Sequence, residues 1–173
     1  GSKDNLNWLI KQGKKNQLRF FNSDISDEES IDEIFKQFSP FDYVCHLAGQ
    51  VAMTTSIEKP YLDLSTNLLG TFILLEKVRK YSNQALFAFS STNKVYGDLN
   101  WIKKEEGHKR YYLPEYANGL DETIPLDFSS PYGCSKGSAD QYVIDWARIY
   151  GLKTVVFRHS SIYGGRQYST YNQ

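Results

Sequence analysis

Apolar positions along the chain fall into two alternating kinds of segment: short continuous runs, and longer stretches in which they recur every three or four residues. The run 18–21 (LRFF) reads as a strand, stopped by Asn22, Ser23 and Asp24. Ser26-Asp27-Glu28-Glu29 then has the form of a helix start, a hydroxyl cap followed three residues later by Glu29. Ile31, Ile34, Phe35 and Phe38 follow at helical spacing, and Pro40 ends the element. The run 43–48 (YVCHLA) predicts a buried strand. Residues 60–81 carry a long helical pattern with Leu64, Leu68, Phe72, Leu75 and Val78 on one stripe. A third apolar strand is expected at 85–89. The polar stretch 98–130, rich in Gly, Pro and Tyr, has little periodicity. Pro131 opens a helix that continues to Tyr150 and is closed by Gly151, and a β-branched strand follows at 154–157.

Apolar, non-alternating strands separated by amphipathic helices predict an α/β fold, a doubly wound parallel sheet covered on both faces. In such sheets ligands bind beyond the carboxyl ends of the strands. The residues with chemical potential fall there: Asp24 after the first strand, Ala48 and Gly49 after the second, Ser90, Ser91 and Thr92 after the third, and Arg158, His159 and Ser160 after the fourth.

Composition narrows the function by exclusion. Twenty basic and twenty acidic side chains give zero formal charge, so no global field draws the chain to nucleic acid or to an anionic membrane. No apolar run approaches the roughly 20 residues of a membrane span. Cys45 and Cys134 have neither metal nor disulfide spacing and read as reduced thiols, in keeping with a cytoplasmic protein and no metal. With 13 Tyr and 10 Phe the chain is aromatic-rich, and many tyrosines lie in polar stretches, as in a pocket lined with hydroxyl-bearing rings.

Four motifs then carry candidate chemistry. Tyr132-Gly-Cys-Ser-Lys136 places a phenol and an ammonium four residues apart, on one helix face. About one such match is expected by chance in a chain this rich in Tyr and Lys, so its context decides. A nearby ammonium favours the phenolate and is expected to bring the tyrosine down from about 10. A phenol that exchanges a proton near neutral pH suits carbonyl/alcohol redox chemistry. The triplet at 90–92 follows a strand, where its hydroxyls serve either a turn or a substrate oxygen held beside Tyr132. Small residues in His46-Leu47-Ala48-Gly49-Gln50 either let a cofactor approach the backbone or simply make a tight turn; His46 itself reads as a core residue. Asn67 and Gly70 are poor helix formers placed mid-helix, which requires either close packing at Gly70 or a role for Asn67. Arg158 and His159 either line the site or cap the last strand, and His108, in a run of charges, is expected to face solvent.

The set HLAGQ, NxxGT, SSTNKVYG, SPYGCSK and FRHSSIYGGRQ resembles the extended short-chain dehydrogenases/reductases, the nucleotide-sugar epimerases and dehydratases. YxxxK and NxxGT are generic to that superfamily. The strings at 48–56 (AGQVAMTTS), 90–100 (SSTNKVYGDLN) and 130–142 (SPYGCSKGSADQY) are more specific, and resemble an epimerase branch that acts at C2 of a CDP-linked sugar. The resemblance implies a Rossmann-like fold that holds NAD, with Thr92, Tyr132 and Lys136 catalytic. Tyr132 would take the proton of the C2 hydroxyl, Lys136 would bind the nicotinamide ribose and tune Tyr132, and Thr92 would hold the reacting oxygen. It further implies Asp24 and Ile25 beside the adenine, Leu47, Ala48 and Gly49 along the adenosine and phosphates, and Asn67, Ser90, His159 and Ser160 on the nicotinamide side. Gln50, Asn93, Ser161 and Arg166 would face the sugar, and the full-length protein would be a homo-oligomer.

Dehydratases of this superfamily carry Asp-Glu after the catalytic Thr. Asn93 and Lys94 stand there instead, which favours epimerisation over loss of water. By the same resemblance, residues 1–173 correspond to the central and C-terminal part of an NAD-binding domain, without the first glycine-rich unit or the substrate domain. The isolated segment is therefore expected to be inactive and to bind NAD poorly. Two other readings stay open: a UDP-sugar 4-epimerase or other enzyme of the superfamily, and a non-catalytic NAD-binding protein, for which an intact Tyr132 would be needless.

Overall fold

In the computed structural model, which describes residues 3–13 and 17–165, three strands pair in parallel: β1 (Tyr43–His46), β2 (Leu86–Ser90) and β5 (Lys153–Phe157). β2 is central, with Cys45 opposite Ala88 and Ala88 opposite Val155. Its burial alternates. Phe87 and Phe89 are fully buried and point into a core built with Ile31, Phe35, Leu75, Val78, Val143 and Trp146, while Leu86, Ala88 and Ser90 on the other face are half-buried. That core belongs to three helices, α2 (Glu28–Phe38), α5 (Gly70–Tyr81) and α6 (Pro131–Tyr150), all gathered on the Phe87/Phe89 face. The parallel α/β architecture is as the run pattern predicts.

Several local expectations are corrected. The run 18–21 joins no strand. Phe21 packs on Phe38 with ring centroids 5.2 Å apart and the Arg19 guanidinium lies over the same ring, so its apolar surface goes to α2 rather than to a ladder. β1 is shorter than the apolar run 43–48 and lies at the edge of the three-stranded sheet, leaving Tyr43 72% exposed and burying only His46. A continuous apolar run cannot tell a central strand from an edge. The cap of α2 is Asp27, whose carboxylate accepts from the Ser30 N–H; Ser26 is one residue too early and donates instead to Asp24. Polar residues near the start form a further helix, α1 (Lys3–Gln12), with no buried residue.

The helical pattern over 60–81 is realised with a change of winding. After the short helix α3 (Met53–Glu58), α4 (Pro60–Asp63) runs into a π-helical segment, Leu64–Leu69, and then into α5. A π turn inserts a residue and rotates everything beyond it, so one stripe cannot serve both ends. Leu64 and Phe72 consequently stay exposed at 42% and 39%, while Leu74, Leu75 and Val78 are buried. α6 begins and ends as its sequence dictates. Ser130 caps it by accepting from the Gly133 N–H, Pro131 occupies the first turn, and Gly151 ends it at φ +68°.

The stretch 98–130 holds only a two-residue antiparallel pair, β3 (Glu105–Glu106) with β4 (Tyr111–Tyr112). Its return is fixed to α6 at Gly137, where a Cβ would collide with the Phe128 ring.

Candidate active site

The first turns of α6 lie under the carboxyl ends of the strands, and they carry Tyr132 and Lys136. Lys136 is buried; its Nζ donates to the Ser90 carbonyl at 2.5 Å and sits 4.2 Å from the centre of the Phe89 ring. Burial brings its pKa down to about 8, with the carboxylates of Asp63 and Asp140 working against that fall. Tyr132 is half-buried, and burial holds its phenol above the ordinary value. The Thr92 hydroxyl beside it pulls downward and Asp63 pushes further up. The expected lowering by the ammonium is therefore corrected: burial sets the direction of the phenol's shift, and Lys136 is turned to the Ser90 carbonyl and the Phe89 ring.

Thr92 takes the turn role. It caps a short 3₁₀ turn, Asn93–Tyr96, by accepting from the Lys94 N–H at 3.2 Å, and its hydroxyl lies beside Tyr132. The pairing of β2 with β5 continues past both strands, Ser91 N–H to the Phe157 carbonyl at 2.8 Å and Asn93 N–H to the His159 carbonyl at 2.7 Å. That continuation brings Thr92 and Asn93 alongside His159, whose ring stacks on Phe157.

Asn67 resolves the other mid-helix anomaly. Buried to 1% exposure inside the π segment, it accepts from the Gln50 N–H at 2.9 Å. It donates to the Gln50 carbonyl, to Asp63 and to Ser135, each at 3.1 Å. One amide thus fastens the loop after β1 to α4 and α6. Gly49 passes so close above it that a Cβ would lie 2.9 Å from Asn67 Oδ1. Gly70 has its own reason, since a Cβ there would meet Ile25 at 2.7 Å. Close packing explains Gly70, and a buried hydrogen-bond network explains Asn67.

Of the other predicted residues, Asp24 is exposed, with its carboxyl held below the usual range chiefly by the Ser26 hydrogen bonds, and Ile25 is half-buried against Gly70. Leu47 is 75% exposed, Ala48, Ser160 and Ser161 are exposed, and Gln50 is half-buried. Arg166 lies outside the described residues. Asp63, Ser135 and Asp140 escaped the sequence reading. Asp140 sits one turn after Lys136, and it receives Arg158 Nε and Nη2 at 2.9 Å and the Ser91 hydroxyl at 2.8 Å. Arg158 also donates to the Tyr96 hydroxyl. Of the two roles left open for Arg158, it takes the structural one. Asp140 was discoverable from its i+4 spacing to Lys136; Asp63 left no such trace. A cleft of about 440 Å³ between α4, the π segment and α6 is lined by Asp63 and Ser135 but by none of Thr92, Tyr132 and Lys136, so it is not the reaction pocket.

His46 is confirmed as core. Its Nε2 is 2.8 Å from Thr71 Oγ1, and that hydroxyl gives its proton to the Asn67 carbonyl, so Nε2–H is the donor. Burial and then the Lys136 charge bring its pKa to about 3, against 6.5 for a free histidine. The unfolded chain binds the extra proton throughout that window. Stability is therefore full above about pH 6.5 and falls as pH drops toward 3. Between about pH 7 and about pH 4.5 the chain is expected to lose roughly 2–3 kcal/mol from this residue alone. Denaturant unfolding at both pH values should show a smaller loss in the His46→Gln variant.

Among the described residues no three His, Cys, Asp or Glu converge as a metal site, and no helix is long and apolar enough to cross a membrane. The GDP-mannose 4,6 dehydratase family model matches residues 1–173. The CDP-paratose 2-epimerase of Salmonella typhi is 52% identical over 173 residues, all of this chain and 50% of that protein. A dTDP-glucose 4,6-dehydratase of Salmonella typhimurium is 38% identical over 92% of this chain and 45% of its own length. Among solved structures, the Thermus thermophilus UDP-glucose 4-epimerase in complex with NAD superposes with a TM-score of 0.72 at 31% identity, over 96% of this chain and 46% of that one. The chain spans about half the length of the curated relatives it matches.

Proposed function

We propose, from the premise that this chain belongs to the GDP-mannose 4,6 dehydratase family of extended short-chain dehydrogenases/reductases, that the whole protein is an NAD-dependent nucleotide-sugar epimerase. The reaction is inversion at C2 of a CDP-3,6-dideoxyhexose, CDP-paratose to CDP-tyvelose, through a transient keto sugar. The observation that carries this reading is the neighbourhood of Thr92. The hydroxyl beside Tyr132 is followed by Asn93 and Lys94, so redox groups stand together without the carboxylate pair that loss of water requires. The identity to a CDP-paratose 2-epimerase supports the sugar and the carbon.

The residues present fit NAD. Gly49 leaves a bare backbone above Asn67 where a side chain would collide. The buried Lys136 ammonium donates to Ser90 and, as a triple donor, retains capacity for a ribose diol. Lys136 would hold the nicotinamide ribose, Leu47, Ala48 and Gly49 the adenosine and phosphates, and Asp24 and Ile25 the adenine. Asn67, Ser90, His159 and Ser160 would shape the nicotinamide side, and Gln50, Asn93, Ser161 and Arg166 the sugar side.

NAD, when bound, supplies the acceptor for the sugar's hydride and, oxidised, a positive ring that favours the Tyr132 phenolate. Tyr132 takes the proton of the C2 hydroxyl and later returns it. Thr92 donates a hydrogen bond to the same oxygen and keeps it in line with the phenol. Asn93 and Lys94 offer no acid–base pair for removing water. The full-length protein acts in the cytoplasm as a homo-oligomer.

The likeness to a UDP-glucose 4-epimerase favours a second reading, the same redox cycle at C4 of a UDP-sugar. Product analysis of the full-length protein separates them: CDP-paratose is expected to give its C2 epimer and UDP-glucose no product. Turnover of UDP-glucose alone overturns the choice.

A further inference from the structure

Asp63 is a carboxylate with 1% exposure, and none of the steps above uses it. Burying an ionisable group costs several kcal/mol unless it is well partnered, so its surroundings are informative. Both oxygens are held. Oδ2 accepts from the Ser135 hydroxyl at 2.5 Å, and Oδ1 accepts from Asn67 Nδ2 at 3.1 Å. Ser135 lies between Tyr132 and Lys136 in the first turns of α6, and Asn67 holds the Gln50 backbone. Asp63 therefore joins the three pieces of the candidate site: the loop after β1, the π segment and the reactive face of α6.

The charged groups around it are few. On α6 they are Lys136, Tyr132 and Asp140; Asp140 is neutralised by Arg158 from beyond β5 at 2.9 Å. His46 at the end of β1 is held neutral near pH 7. Glu58 at the end of α3 and the adjoining Lys59 are exposed. The one buried cation near Asp63 among the described residues is Lys136: burial raises the Asp63 carboxyl, the Ser135 hydrogen bond and then the Lys136 charge pull it back, and Asp63 in turn raises Lys136. Asp63 also raises Tyr132. Asp63 thus resists the loss of the Lys136 proton that burial favours, at the expense of a less acidic phenol.

Resting on the epimerase reading, we propose that Asp63 is a positioning residue for the Tyr132–Lys136 pair, locked by Ser135 and Asn67, and that it acts on the pair as a fixed negative charge.

Asp63→Asn keeps the shape and removes the charge; its amide oxygen still accepts from Asn67, while its NH2 reverses the second bond and donates to the Ser135 hydroxyl. The phenol of Tyr132 is read out alone by tyrosinate difference absorbance between each protein and its Tyr132→Phe counterpart. In the full-length protein Asp63→Asn is expected to lower the Tyr132 midpoint by roughly half to one pH unit. The profile of kcat should move to lower pH in the same direction, because both Tyr132 and Lys136 fall, with KM little changed. A purely structural Asp63 would lower the melting temperature and leave the midpoint in place; an unmoved midpoint overturns the proposal. Should Asp63→Asn fail to fold, Asp63→Ser also removes the charge and keeps a hydroxyl facing Ser135 and Asn67, while admitting water that screens the site. It is expected to give a smaller shift of the same sign, and no shift there also overturns the proposal. The absorbance arm needs no substrate, so a protein inert on CDP-sugars would defeat the epimerase reading and leave this result standing.

Discussion

Tyr132→Phe in the full-length protein is expected to lower kcat by roughly 10²–10⁴-fold while NAD affinity stays nearly unchanged. The change removes one oxygen and leaves the ring, so the packing of α6 against the 3₁₀ turn survives. The groups proposed to hold NAD, Lys136 and the backbone around Gly49, are untouched; the Lys136 hydrogen bond is made to Ser90, not to Tyr132. What disappears is the phenol proposed to take the sugar proton. Thr92 is engaged with the Lys94 N–H and cannot replace it as a base. Steady-state turnover and calorimetric NAD titration on the same preparations check both halves. Full turnover with phenylalanine would remove Tyr132 from the chemistry, whereas a non-catalytic NAD-binding protein would show no turnover with either residue.

Arg158→Leu is expected to cost about 3–5 kcal/mol of folding stability, the largest single effect outside the chemistry. Asp140 is fully buried and receives the two guanidinium bonds as well as the Ser91 hydroxyl. Without Arg158 its charge remains in the core without an ion-pair partner, offset only by its coupling to the Lys136 ammonium, and Tyr96 loses the same guanidinium. The paired variant Arg158→Leu with Asp140→Leu removes both charges and should recover much of the loss, since a buried pair is weakly favourable at best. Denaturant unfolding of the single and double variants measures this. Equal destabilisation in the two would mean that packing around the pair, rather than the stranded charge, dominates.

The features legible in the sequence were those with local causes. Ser130, Pro131 and Gly151 mark α6 because capping chemistry acts within a turn of the chain. Asn67 and Gly70 announced themselves by breaking a helical pattern, and the structure gives each a separate reason, a buried amide network and close contact with Ile25. The features that stayed hidden depend on distance in space. Asp63 looks like any polar residue near a helix start until α6 brings Ser135 to it. The phase change across the π segment comes from one extra residue in the winding, which a stripe of leucines cannot reveal. For Tyr132, spacing places phenol and ammonium on one helix but cannot show that Lys136 turns to Ser90 and Phe89, or that burial decides the direction of the phenol's shift. The run 18–21 shows the same limit: its residues are apolar enough for a strand, but tertiary contact with Phe38 claims them.

The proposed reaction is hydride removal and return at C2, at a site built from Thr92, Tyr132 and Lys136. CDP-paratose carrying deuterium at C2, incubated with full-length protein in ordinary water, tests this most directly. The predicted result is a C2-inverted product that retains the deuterium at C2, because the hydride leaves and returns to the same carbon without meeting solvent. Loss of the label to water, or inversion at another carbon, would contradict it.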